Sequence, residues 1–417
     1  MSRRLLGSVI TLAVGSGLAQ LVMLAFAPLL SRLYTPADYA CQTVFLTIVG
    51  TVLPFVCAKY EVAIVVAGTE RHAVALRTLS LRIAIGVSMA LAAIVVVLRQ
   101  PIETLVHGEA LGRWLYAVPV AVLMGAVALI DRHMANRCGE YAVISRFLLL
   151  QALLSCALNL ALGWQGMGAD GLLVANVVSV TIGTAWLSWR MRSLYSGGSP
   201  PKTWSLRAVA RKYRSFPLYN ASSSVLDSLT LALPVFFLAR LTDSDTVGQY
   251  GFLMRFAQAP LALVSGAVTQ VHLKHVADMV RAGVPVRPYL ARITAILAGL
   301  VVVPTLCAML WGGPLFAWTF GQRWQTAGEY LAILMPSLAL QFVVSTLSPT
   351  CGATGNNRVA ALWKALSFVV TLGMFLAVAP LLDTRALMWA IASTNVALYV
   401  LYYLAIWYAA GRPRGNT

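Results

Sequence analysis

Arg255 stands inside an otherwise apolar run, VGQYGFLMRFAQAP. Its guanidinium is a planar fork of donors that matches phosphate or carboxylate oxygens. Eight residues separate it from Val247, where the run begins, so on a helix it lies about 12 Å below that end. A charge at the centre of hydrocarbon costs about 2.5–3.5 kcal/mol on insertion scales, so it is retained for a site or a structural pair. Two readings stand side by side. Arg255 pairs inside the helix bundle with Asp227, which lies in the preceding run thirteen residues before Arg240, or it faces a cavity and binds an anionic substrate. A counter-ion displaced by substrate satisfies both. Lys59-Tyr60-Glu61 is the second candidate, near the inner end of another apolar run. Residues two apart on a helix point about 200° from each other, so Lys59 and Glu61 do not pair. They either snorkel to the interface or serve a site. Asn220, Asn159, Asn176, Gln270 and Asn395 suit hydrogen bonds between helices, and Asn220 is also a candidate substrate contact.

Other strings carry less. Gly166-Met-Gly-Ala-Asp-Gly171 matches GxGxxG but joins two apolar runs instead of following a strand, and reads as a tight outer turn. Asp243-Ser-Asp245 reads as a turn and cap for the next helix. His272 and His275 have i, i+3 spacing without a third ligand nearby. The six cysteines have neither metal-ligand spacing nor a disulfide framework. Phosphate-cradling loops and HExxH are absent. No catalytic residue, metal or cofactor is expected.

The elements that must position these groups are membrane helices. Twelve stretches are long and apolar enough: Leu5–Leu30, Cys41–Val66, Thr78–Leu98, Leu111–Ile130, Ala142–Leu162, Gly171–Trp189, Pro217–Ala239, Val247–Val271, Tyr289–Trp311, Ala327–Pro349, Ala361–Leu382 and Ala386–Tyr408. Without water to satisfy free amides, helices are the structure such runs adopt. A composition 59% hydrophobic and only 11% charged, with mean hydropathy +0.78, excludes an ordinary soluble domain. The first run is too long for a cleaved signal peptide and reads as a retained anchor. Of 31 lysines and arginines, only Arg32, Arg99, Arg113, Arg240, Arg323 and Arg385 fall on one set of connections. Apart from Arg255, the rest gather on the alternate set, which places both termini in the cytoplasm. The net charge of +17 is therefore an orientation signal and an attraction to anionic membrane lipids, not a nucleic-acid footprint.

The longest connection divides the chain into an N-lobe of six helices (1–195), a basic cytoplasmic linker (196–216) and a C-lobe of six (217–417). Trp204, Leu206, Val209 and Tyr213 of the linker are expected on the membrane surface. Pro28 and Pro54 recur 206 residues later as Pro234 and Pro260, while Arg32-Leu33 and Ala40 recur 208 later as Arg240-Leu241 and Gly248. With six spans each, the halves form a parallel repeat around a central cavity. The expected fold is an all-α integral membrane protein.

The runs PLLSRLYTPADYA (28–40) and KYEVAIVVAG (59–68) resemble the opening of bacterial polysaccharide-biosynthesis flippases of the multidrug/oligosaccharidyl-lipid/polysaccharide exporter superfamily. PLYNASSSVLDSLTLALP (217–234), Gly248-Gln-Tyr250 and Arg255 through Pro260 are similar to the start of their second half. Ala40 stands where the family commonly has glycine. The resemblance implies translocation of undecaprenyl-pyrophosphate-linked oligosaccharide repeat units across the inner membrane by alternating access, for lipopolysaccharide or exopolysaccharide assembly. It implies Arg255, Lys59, Asn220 and Tyr60 as substrate contacts, with Lys59 near the inner mouth and Arg255 deeper toward the outer side. It points to Asp227 and Glu61 for ion coupling and to the polysaccharide polymerase machinery as a partner. A drug/cation antiporter of the same superfamily would want acidic groups in place of Arg255, and an O-antigen polymerase or ligase would want a large outer loop.

Overall fold

The computed structural model describes residues 3–106, 109–195 and 206–411, with side chains left aside at 3–13, 98–106, 109–110, 193–195, 219, 220, 222 and 357. Regular structure in the described residues is helical throughout. The α-helices are α1 (Arg3–Leu33), α2 (Pro36–Val52), α3 (Tyr60–Val65), α4 (Glu70–Val106), α5 (Glu109–Trp114), α6 (Val118–Cys138), α7 (Tyr141–Trp164) and α8 (Gly168–Tyr195). They continue as α9 (Leu206–Lys212), α10 (Ser222–Leu241), α11 (Ser244–Arg281), α12 (Val286–Phe320), α13 (Gln325–Leu347), α14 (Pro349–Ala353), α15 (Asn357–Ala377) and α16 (Thr384–Ala410).

Their starts are written in the sequence. Thr35 caps α2, accepting from the Asp38 amide at 3.2 Å, while the Asp38 carboxylate accepts from the Thr35 amide at 2.8 Å. This is a capping box with Pro36 at the first helical position, where its missing N–H costs nothing. Asp243 caps α11 by accepting from Thr246 N at 2.8 Å, as the reading of Asp243-Ser-Asp245 expected. Thr35 and Asp243 are 208 residues apart, and so are the starts of α2 and α11 and the ends of α1 and α10. That is the spacing of the Arg-Leu pairs. Gly166 and Gly168, with φ of 71° and 52°, make the turn between α7 and α8 that the reading of Gly166–Gly171 expected.

Eleven of the twelve expected stretches lie in helices long and apolar enough to cross a membrane, among the described residues. The exception is Cys41–Val66. There α2 ends at Val52, residues 53–59 form turns, and α3 resumes at Tyr60. Hydropathy integrates over such a break because the turn residues are themselves apolar.

The chain forms two compact units, Met1–Ala232 and Leu233–Thr417. In the first, α1 packs along α7 and α7 along α8, while α6 lies against α4 and α8. Asp131 of α6 is 0% exposed and accepts from Arg77 Nε and Nη2 of α4 at 3.1 and 2.9 Å and from Ser188 Oγ of α8 at 2.6 Å. A buried carboxylate held by a guanidinium and a hydroxyl fixes three helices in register. Asn159 was expected to bridge helices, but its Nδ2 bonds Ser155 on its own helix at 3.3 Å. The crossing bond runs to its backbone carbonyl, from Tyr34 Oη at 2.6 Å.

Helix α9 packs on α4. Val209, expected on the membrane surface, is only 2% exposed, because the protein itself covers it. Trp204 falls outside the described residues.

In the second unit α12 lies along α13, and α11 and α16 flank α13. Leu290, Val344, Leu347 and Ile406 are fully buried in this core. Gly312 and Gly328 bring α12 and α13 together so closely that a methyl on either would meet the other's backbone carbonyl.

Candidate functional site

Asp227 lines a cavity of about 350 Å³. Along the second apolar stretch, Thr47, Gly50, Thr51 and Pro54 fall at i, i+3, i+4 and i+7; along α10, Ser224, Asp227, Ser228 and Leu231 do the same. That spacing puts Thr47, Gly50 and Thr51 on one face of α2 and the second set on one face of α10, while Pro54 lies in the turn beyond α2. Of the sequence candidates, Asp227 alone is among the residues lining this space.

Lys59, Tyr60 and Glu61 lie elsewhere in the same unit, at the start of α3. Ala58 and Lys59 have left-handed backbone, φ 50° and 61°, a conformation that costs a side-chain-bearing residue about 1–2 kcal/mol. The strained turn leaves Lys59 half-buried and buries Tyr60, whose hydroxyl donates to Ala210 O of α9 at 3.2 Å. Glu61 is 1% exposed and its Oε2 has no hydrogen-bond partner among the described residues. The far end of α3 is closed by Arg137, whose Nη1 donates to the carbonyls of Ile64, Val65 and Ala67 at 3.0, 3.3 and 2.7 Å. A π-helical turn over 216–221, which carries Asn220, packs against α3. The side chain of Asn220 itself lies outside the described residues.

Arg255 belongs to the second unit, half-buried on α11. Aromatic rings anchor that stretch of helix: Phe252 stacks on Trp324 at 3.9 Å and meets Phe256 at 4.5 Å and Phe320 at 5.0 Å. Gln249 ties the same end to the start of α13, donating to Arg323 O just before it at 2.7 Å and accepting from Ala327 N in its first turn at 3.0 Å. The C-terminal part of α11 carries His272, 1% exposed, with ring nitrogens 2.8 Å from Thr350 Oγ1 and 3.3 Å from Tyr289 Oη. Both nitrogens are thus engaged by hydroxyls, and no group of three metal-binding side chains occurs among the described residues.

The family model described as polysaccharide biosynthesis protein matches residues 29–329. This chain belongs to that family. A succinoglycan biosynthesis transport protein, ExoT, of Rhizobium meliloti (strain 1021) is 24% identical over 360 residues, covering 83% of this chain and 68% of the relative. Among solved structures, the lipid II flippase MurJ in an inward closed conformation superposes with TM-score 0.76 at 10% identity, over 95% of this chain and 87% of MurJ. An inward-facing multidrug resistance MATE transporter of the MOP superfamily gives TM-score 0.69 at 15% identity, over 95% and 94% of the two chains. The fold is the one these transporters share. The relative is named as a transport protein, and both solved structures are of a flippase or a transporter.

In this polysaccharide biosynthesis protein one part of the resemblance, around Thr35-Pro36-Ala37-Asp38, starts a helix. The cavity's hydroxyl stripe on α2, the Arg77–Asp131–Ser188 cluster and the Arg137 cap were not singled out from the sequence. The stripe was legible as Thr and Ser at helical spacing inside apolar runs. Arg77 and Arg137 had been counted only as orientation charges.

Proposed function

We propose that the protein is a flippase that moves undecaprenyl-pyrophosphate-linked oligosaccharide repeat units from the cytoplasmic to the periplasmic leaflet of the bacterial inner membrane. In this reading two six-helix lobes, 1–195 and 217–417, rock about the cargo, with the linker 196–216 and both termini in the cytoplasm. The observation that carries it is Arg255, a half-buried guanidinium within a membrane-crossing helix of a polysaccharide biosynthesis protein. A diphosphate and a glycan cannot enter hydrocarbon unaided, whereas the lipid tail can remain in it. Arg255 holds phosphate or acidic sugar oxygens; Lys59, Tyr60 and Asn220 receive the headgroup on the inner side. Glu61, buried with an oxygen that has no partner among the described residues, and Asp227, beside the cavity, carry the coupling proton or cation. Delivery to a polysaccharide polymerase follows on the outer face.

Vesicles containing the protein are expected to take up radiolabelled lipid-linked repeat unit. Arg255→Ala is expected to abolish uptake and surface polysaccharide with normal membrane insertion; normal polysaccharide in that variant removes Arg255 from the site. The two carboxylates also favour a second reading, a cation-coupled drug antiporter on this scaffold. Drug efflux that survives Arg255→Ala and stops in Asp227→Asn would select it.

A further inference from the structure

Three of the four hydroxyls lining the cavity beside α2 and α10, those of Thr47, Thr51 and Ser228, give their protons to helix carbonyls. A hydroxyl has one proton and two lone pairs. Thr47 Oγ1 gives its proton to Thr43 O at 2.7 Å, Thr51 Oγ1 to Thr47 O at 2.7 Å, and Ser228 Oγ to Val225 O at 3.1 Å. The helix carbonyls thereby consume the protons, and the lone pairs remain for whatever enters. Asp227, when ionised, adds a carboxylate that only accepts. Pro54, Leu231 and Ala232 complete the wall with apolar surface.

We propose that this cavity holds sugar rings of the cargo, their hydroxyls donating to Asp227, Thr47, Thr51 and Ser228 while ring C–H faces lie on Pro54 and Leu231. The assignment rests on the flippase reading and divides its cargo: diphosphate brings only acceptors and is refused here, whereas a hydroxyl-rich glycan brings the donors the lining lacks. Volume agrees. About 350 Å³ lies at the small end of ligand sites, enough for a ring or two, whereas a bare monovalent cation would fill little of it.

The test compares two probes on purified protein in lipid nanodiscs: undecaprenyl pyrophosphate, and the same lipid carrying one hexose. The wild-type protein is expected to prefer the glycosylated probe. Thr47→Val/Thr51→Val keeps the side-chain shapes and removes two acceptors; it is expected to weaken the glycosylated probe roughly tenfold and the bare lipid not at all. Asp227→Asn is expected to cost that probe at least as much, because a charged acceptor is lost. Bare-lipid binding reports that each variant is folded, and Ser228→Ala repeats the comparison from the opposite helix if the double variant fails that control. Equal losses for both probes that recur in Ser228→Ala, or no loss for either probe, overturn the sugar assignment and leave the flippase reading standing. Wild-type protein that binds neither lipid overturns both. Sodium-dependent stabilisation abolished by Asp227→Asn, with the hexose preference intact in that variant, leaves Asp227 to ion coupling alone and overturns its place in the sugar site.

Discussion

Pro54 and Pro260 occupy matching places in the two halves, yet one follows a helix end and the other lies inside a helix of 38 residues. After Val52 the first half turns through i→i+3 bonds, Phe55 N to Val52 O at 3.2 Å and Ala58 N to Phe55 O at 2.8 Å, before α3 begins. Carbonyls freed within a membrane protein must find donors inside it. Arg137 supplies them at the end of α3. In the second half α11 runs unbroken past Pro260, and side chains on its C-terminal part reach α13 and α14. Ser265 Oγ lies 2.8 Å from Thr346 Oγ1, Thr269 Oγ1 donates to Thr346 O at 3.5 Å, and His272 meets Thr350. A proline therefore marks where a membrane helix can open. What the neighbours offer, a guanidinium for bare carbonyls or hydroxyls for polar side chains, decides whether it does.

Three substitutions break or sharpen this contrast. Arg137→Ala has the largest expected effect, about 3 kcal/mol, because several carbonyls lose a charged donor together. Amide exchange over 60–67 should quicken about a hundredfold while α11 is unchanged; unaltered exchange would show that the break is held by other donors. His272→Phe should cost about 2 kcal/mol, read as faster exchange around 265–275, since it strands the Thr350 hydroxyl in a buried place. If this variant loosens α11 more than Arg137→Ala loosens α3, the ranking of the two devices is reversed. Lys59→Gly should raise thermal stability by about 1 kcal/mol, because glycine enters the left-handed region without strain. Transport should fall in the same variant, and transport at wild-type rate would strip Lys59 of its proposed substrate role.

The sequence disclosed what depends on local chemistry. Threonine and aspartate ahead of an apolar run became caps at Thr35 and Asp243, glycines became the turn after α7, and run length became helices. It disclosed less of what depends on satisfaction across helices. The stretch 41–66 has the hydropathy of a span, and nothing in Leu53–Ala58 says that Arg137, far along the chain, will bond the carbonyls beyond it. Asp131 was not singled out because it sits at the edge of an apolar run, where a carboxylate is read as solvated. Asn159 shows the converse: an amide inside a span was expected to cross helices, while a tyrosine already held the crossing bond. In the candidate site, Asp227 stood out by charge alone; the hydroxyls around it were silent because threonine and serine scarcely lower the hydropathy of a run.

The contact of Gly312 with Gly328 has a mechanical consequence. Two backbones that touch without intervening side chains cannot slide or splay unless they part altogether, so α12 and α13 form a single strut. Spin labels placed on that pair should keep one fixed separation through every stage of a transport cycle, and flexing in the second unit is left to the joints around it.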